Sequence, residues 1–307
     1  MQNKKTKIFI ALFICALIFP FAIHAQIDPQ ISTEEFSREF YNPAAIGQSN
    51  FINARLISRH QWTGYQDAPS TQFLSLSNYF DRYRVGLALN VINDNLGAES
   101  NQMIKLKYAY HAFFNENTYL SLGLGTGIWH RTFHGSQLHF EQENDPYAYI
   151  EDYTKTEMDF DFGVEFTYKY FKLGVGSNHL SNTYEGVKDI EIPRHDYVYI
   201  QYSFQATDEL NVSNGITVSH TGNIYHTELY SMIDIKQKIH AGLSYRLKEA
   251  LVIMSQVNIS DHILIGYAYD IGIGKMRAYN NGTHEILIAA RINKYNRKKY
   301  KSPRFFD

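Results

Sequence analysis

The sequence predicts an all-β fold, a closed antiparallel transmembrane β-barrel of about 14 strands, and three observations carry that expectation. An export signal opens the chain, apolar and polar residues alternate with period two over segments of ten or more residues, and long and short connections alternate between those segments. A soluble β-sandwich also alternates, but its strands average about 5–6 residues, whereas a membrane-crossing strand needs about 9–11.

Residues 1–25 have the layout of a cleavable signal peptide: Lys4, Lys5 and Lys7, an apolar run from Ile8 to Ile23 interrupted at Pro20, then His24 and the small Ala25. The run is shorter than the roughly 20 apolar residues of a membrane-spanning helix, which disfavours a retained anchor. Cys15 lies inside the run behind the bulky Ile14, which disfavours a lipoprotein signal. Cleavage after Ala25 removes the chain's one cysteine, so the mature protein has no disulfide, no thiol nucleophile and no cysteine-metal site. Loss of the three lysines also takes the formal charge from −2 to −5, a balance that argues against nucleic acid as a partner.

Aromatic residues make up 15% of the chain, with 24 Tyr and 20 Phe, while the mean hydropathy is −0.34. A membrane protein with that polar average and no long apolar run after residue 25 is expected to cross as strands, whose lumen-facing and lipid-facing residues alternate. Residues 26–50 are expected to form a periplasmic N-terminal segment, 51–293 the barrel, and 294–307 a basic periplasmic tail. Within the barrel, Leu120, Leu122, Leu124 and Ile128 share one face and Ser121, Gly123, Gly125 and Gly127 the other. Phe160, Phe162, Val164, Phe166 and Tyr168 likewise alternate with Asp159, Asp161, Gly163, Glu165, Thr167 and Lys169. A half-buried helix cannot carry a period of two.

Strands are expected near 51–60, 70–80, 83–93, 100–113, 117–130, 157–170, 171–181, 195–206, 209–220, 224–235, 238–247, 250–259, 261–273 and 283–293. The even number puts both ends of the barrel on one side. Connections after odd strands (61–69, 94–99, 131–156, 182–194, 221–223, 274–282) are longer than those after even strands, with 248–249 the exception. Long loops on one rim and tight turns on the other are the outer-membrane pattern, the long loops facing outward.

The alternation places Lys105, Lys107, His111, Asp159, Asp161, Glu165, Lys169, Asp270 and Arg291 in the lumen. Opposed charges there can plug or select, although a polar lumen is ordinary for such a barrel. The loop 131–156 and the strand entrance after it are acidic: Glu141, Glu143, Asp145, Glu151, Asp152, Glu157, Asp159 and Asp161 surround a single Lys155. That loop suits a basic secreted partner or Ca²⁺, although it has no calcium-loop pattern, and an ordinary solvated loop explains it better. The tail carries Lys294, Arg297, Lys298, Lys299, Lys301 and Arg304, a candidate contact for a periplasmic partner or an anionic lipid surface. No enzyme, cofactor or metal is indicated. The closest Ser–His pair, Ser219–His220, consists of strand neighbours that point to opposite faces, and no metal-ligand spacing or glycine-rich phosphate loop is present.

Three stretches carry a family resemblance. They are Tyr41-Asn42-Pro43-Ala44-Ala45-Ile46-Gly47, the segment Ser58 to Gln72 with Gln61-Trp62-Thr63-Gly64 and Ala68-Pro69-Ser70-Thr71, and Ile92-Asn93-Asp94-Asn95-Leu96-Gly97. His284-Glu285-Ile286 opens the last strand in the same manner. In order and spacing these resemble the PorP/SprF family of the type IX secretion and gliding-motility machinery of Bacteroidota, over essentially the whole mature chain. The resemblance implies an outer-membrane barrel that supports secretion or surface anchoring of an adhesin-like protein and contacts a periplasmic peptidoglycan-associated lipoprotein. The alternative from a different class is a porin or small-solute transporter. Physically, Pro43 biases Asn42 toward extended backbone, which suits a turn leading into the barrel. Trp62 and Tyr65 are placed for the interfacial aromatic girdle or for contacting cargo.

Overall fold

The computed structural model describes residues 29–33, 38–49, 51–138, 151–181 and 193–293. Among them fourteen strands follow one another: β1 Phe51–His60, β2 Ser70–Phe80, β3 Val85–Leu96, β4 Glu99–Asn115, β5 Thr118–His134, β6 Asp152–Tyr168, β7 Phe171–Asn178, β8 His195–Thr207, β9 Leu210–Thr221, β10 Ile224–Ile235, β11 Ile239–Arg246, β12 Ala250–Asn258, β13 Ile263–Gly272 and β14 Thr283–Asn293. Each pairs antiparallel with the next, and β14 closes the barrel on β1, in register from Phe51↔Asn293 to His60↔His284.

The two faces of the wall are inverted relative to a soluble protein. Along β4, Ile104, Leu106, Tyr108 and Tyr110 point outward and are exposed, while Met103, Lys105, Lys107, Ala109 and His111 point inward and are buried. Leaving large apolar side chains outside and burying lysines inside is favourable only where the outside is hydrocarbon. On β5 the outward apolar residues run from Leu120 to Ile128, nine residues, which matches the about 9–11 that cross a bilayer. Leu124, 59% exposed, sits at the centre of that band. Leu124→Arg is therefore expected to cost about 2–4 kcal/mol of folding stability in lipid vesicles. A urea midpoint equal to that of the unaltered protein would contradict the assignment of the lipid face.

β4, β5 and β6 are 17 residues each and extend past the apolar band. The sequence places loops at 94–99 and 131–156. Instead β3 and β4 meet at Gly97-Ala98, and β5 and β6 stay paired up to His134↔Asp152. Alternation continues in those extensions with polar residues outward, among them Gln102, His130, Thr132, Thr154 and Thr156, so an apolar pattern ends before the strand does. This wall stands above the membrane on the long-loop rim. The acidic residues expected in that loop separate accordingly. Asp159 and Asp161 are buried in the lumen, Glu157 pairs with Lys155 at 2.9 Å, and Glu151 and Asp152 are exposed. Glu141, Glu143 and Asp145 lie outside the described residues, as do the signal peptide and the whole basic tail from Lys294 to Arg304.

Candidate functional site

The segment expected to precede the barrel in the periplasm lies inside it: the described parts of residues 29–49 pack against the inner wall. Asn42 caps a short 3-10 turn, Pro43–Ala45, its side-chain oxygen accepting the Ala44 N–H at 2.9 Å. Pro43 stands at the first position of the turn, where its missing N–H leaves nothing unsatisfied. The Asn42 amide also donates to Tyr199 Oη at 3.0 Å and to the Val164 carbonyl at 3.3 Å, tying the turn to β8 and β6.

Inward-facing glycines make room for it. A Cβ on Gly163 would stand 2.0 Å from Asn42 Oδ1, one on Gly123 2.2 Å from the Ala44 nitrogen, one on Gly176 2.5 Å from the Tyr41 carbonyl and one on Gly86 2.5 Å from the Ile46 carbonyl. Gly47, at φ +77°, crosses Gly86 so closely that the two backbones nearly touch. The wall is thus shaped to the segment's main chain.

Charges predicted for the lumen hold the segment or pair beside it. Lys107 donates to the Glu39 and Phe40 carbonyls at 2.9 and 2.7 Å. His111 bridges Ser121 Oγ at 2.7 Å and the Ile46 carbonyl at 2.9 Å, so Nε2 donates to the carbonyl and Nδ1 accepts the hydroxyl. Glu165 takes hydrogen bonds from Tyr199 and Gln48, with Arg38 3.9 Å away. Lys105 joins Asp159 and Asp161 at 2.6 and 2.8 Å, and His179 meets Asp159 at 2.7 Å. Arg291 is half-buried toward the tight-turn end of β14. Lys169 departs from the expectation: it sits exposed in the β6–β7 turn at φ +49°, its ammonium over the ring of Tyr168. The strand ends at Tyr168 and the chain reverses at Lys169, so the alternation stops one residue short of it.

At the other end of the lumen a second cluster grips Ser32 and Thr33. Glu285 accepts both backbone N–H groups, at 2.7 and 2.8 Å, and the Thr33 hydroxyl at 2.6 Å. Asp270 accepts the Ser32 hydroxyl at 2.6 Å and one guanidinium N–H each from Arg59 and Arg246, both at 2.8 Å. Arg246 also reaches Glu228 at 2.9 Å. Of these only Asp270 is among the lumen charges expected. Arg59 belongs to the patterned segment Ser58 to Gln72 and Glu285 to the patterned start of the last strand, while Ser32 and Arg246 belong to no sequence pattern.

Above this cluster, on the long-loop rim, opens a mouth cavity of about 520 Å³. Its lining brings together Gln61, Trp62, Pro69, Thr71 and Asp94 with Pro29 and Gln30. Trp62 lines this mouth, its backbone N–H donating to Thr283 Oγ1 at 3.2 Å. Thr71 donates to Asp94 at 2.6 Å on the inner face, while Asn93 donates to Gln72 at 2.6 Å on the outer face. The Gln61 N–H meets the Pro69 carbonyl at 2.9 Å across the loop that holds Gly64, exposed at φ +88°, and the half-buried Ala68. Thr63 exchanges backbone hydrogen bonds with the β13–β14 loop, to Gly282 and from Asn281, both at 2.8 Å. Among the described residues, no group of three or more His, Cys, Asp or Glu side chains is placed to hold a metal ion.

Solved structures to which the chain is similar include the CymD monoaromatic hydrocarbon channel (12% identity, 88% of this chain and 94% of that one, TM-score 0.50). Others are a Pseudomonas aeruginosa FadL homologue (13%, 84% and 94%, TM-score 0.49) and the Acinetobacter baumannii outer membrane protein Omp33 (8%, 81% and 100%, TM-score 0.49). At these identities the likeness is one of fold. No curated protein sequence matches the chain. A family model described as type IX secretion system membrane protein PorP/SprF matches residues 23–290, a span holding the capped turn, the glycine cradle, the buried clusters and the mouth, and the chain belongs to that family.

Proposed function

We propose that this chain is a plugged outer-membrane barrel of the type IX machinery that works by binding proteins at its two rims, not by passing solutes or by catalysis. Export removes residues 1–25. The long-loop rim faces outward and supports secretion or surface anchoring of an adhesin-like protein. The tight-turn rim and the basic tail, Lys294 to Arg304, face a periplasmic peptidoglycan-associated lipoprotein.

The observation that carries this reading is the chain's own N-terminal segment occupying the lumen. Residues 38–49 are seated on glycines and held through buried charges, which leaves the barrel's chemistry to its ends. The acidic stretch follows β5 and the basic tail follows β14, strands that end at opposite rims, which supports distinct partners there. Affinity purification from native membranes is expected to recover a large surface protein together with a peptidoglycan-binding lipoprotein. Deleting residues 296–307 is expected to reduce recovery of the lipoprotein several-fold and to leave the surface protein in place. Recovery of neither partner from the full-length chain would defeat the reading, and unchanged lipoprotein recovery after the deletion would remove the tail from it.

A further inference from the structure

We infer that the chain threads its own barrel from the outer mouth inward, so that the N-terminus created by removal of the export signal is displayed at the cell surface. This rests on the reading of the long-loop rim as the outer one.

The path is fixed by contacts at successive depths. Next to β1, Gln48 meets Lys172 near the start of β7 at 2.9 Å, and Gly47 lies against Gly86 near the start of β3, both at the tight-turn rim. Ala44 and Asn42 cross the middle of β5 and β6. Ser32 and Thr33 are then bound by Arg59, Asp270 and Glu285, which stand at the long-loop ends of β1, β13 and β14. Gln30 donates at 3.2 Å to Glu249, in the β11–β12 turn on that same rim, and Pro29 and Gln30 line the mouth cavity. Toward its N-terminus, the chain has thus climbed the whole lumen.

Three residues, Gln26 to Asp28, separate Pro29 from the proposed cleavage point. Fully extended they reach about 10 Å. The opposite rim lies beyond a hydrocarbon core of about 30 Å, so the new end cannot return to it. Any partner seated on the outer mouth would therefore meet the chain's own N-terminus together with the mouth loops.

The mature chain lacks cysteine, so single thiols report topology without background. Three variants would be labelled on cells with a membrane-impermeant maleimide, before and after permeabilising the outer membrane. They are Asp28→Cys, Tyr279→Cys in the β13–β14 loop and Asp208→Cys in the β8–β9 turn, and the mass of the purified protein reports cleavage. Asp28→Cys and Tyr279→Cys are expected to label on intact cells to a similar extent, and Asp208→Cys only after permeabilisation. If Tyr279→Cys labels on intact cells while Asp28→Cys labels only after permeabilisation, or in neither state, the threading is overturned. Labelling of Asp208→Cys instead of Tyr279→Cys on intact cells would overturn the orientation on which it rests.

Discussion

Replacing both Gly123 and Gly163 by valine is expected to convert a closed barrel into a conducting one. In the native wall a Cβ at these positions would fall 2.2 Å from the Ala44 nitrogen and 2.0 Å from Asn42 Oδ1. The Ala44 contact is main chain, and the Asn42 oxygen is fixed by its role as the cap of the turn. Neither can swing away as the far end of a flexible side chain would. The wall cannot yield either, because β5 and β6 are joined rung by rung from Thr118↔Tyr168 to His134↔Asp152. What gives way is the Pro43–Ala45 turn. Ordinary overpacking costs about 1–3 kcal/mol per site, and losing the cap adds about 1 kcal/mol. Both substitutions act on the same turn, so residues 38–49 are expected to leave the wall while the barrel stays closed on itself. Single-channel recording in planar bilayers would then show a stable open conductance in the double variant and none in the unaltered protein. Heat-dependent gel mobility would verify that the barrel still forms. Gly272→Ala, where the nearest atom to a Cβ is 4.0 Å away, is the near-neutral comparison. A double variant as closed and as stable as the parent would mean that the turn is not seated on these glycines.

The same glycines show what was legible in the sequence and what was not. Gly123, Gly125 and Gly127 were visible as one face of a strand, because alternation reports which side of the wall a residue is on. Alternation is silent about what fills the lumen, so the reason for that bare face was hidden. The Asn42-Pro43-Ala44 box was also visible, as a turn before the first strand. Its place inside the barrel was not, since nothing local distinguishes a segment that precedes a barrel from one that enters it. The cluster around Ser32 was hidden for a different reason. Ser32, Arg59, Arg246, Asp270 and Glu285 are spread over more than 250 positions and meet only when β14 closes on β1. Strand positions fared best where the lipid imposes them: β1, β2, β10 and β14 coincide with the expected 51–60, 70–80, 224–235 and 283–293. They fared worst where β5 and β6 leave the membrane and outward positions turn polar.

Asp270→Leu is expected to destabilise the folded barrel by about 3–5 kcal/mol, because it takes away the acceptor shared by three buried donors at about 1–3 kcal/mol each. Asp270 is shared by Arg59 and Arg246, both buried, and it accepts the Ser32 hydroxyl. Its loss leaves Arg59 with Glu285 at 3.3 Å and Arg246 with Glu228 at 2.9 Å, two guanidinium groups against two carboxylates in place of three. Asp270→Asn retains an acceptor for Ser32 but not the charge, and is expected to cost about 1.5–3 kcal/mol, the range of hydrogen bonds to charged groups. Denaturant unfolding of the refolded barrel would measure both. Since Asp270 grips the outer end of the threaded segment and the Asn42 turn anchors the inner end, the two sites share no partner, and their effects are expected to add within about 0.3–0.5 kcal/mol. Combining Asp270→Leu with Gly163→Val tests that directly. Strict additivity would make the segment a strip held at two separate points, whereas a coupling well above that margin would make it one cooperative plug whose outer and inner ends release together. An Asp270→Leu barrel as stable as the parent would show instead that the buried charges at the mouth contribute nothing to holding the segment in place.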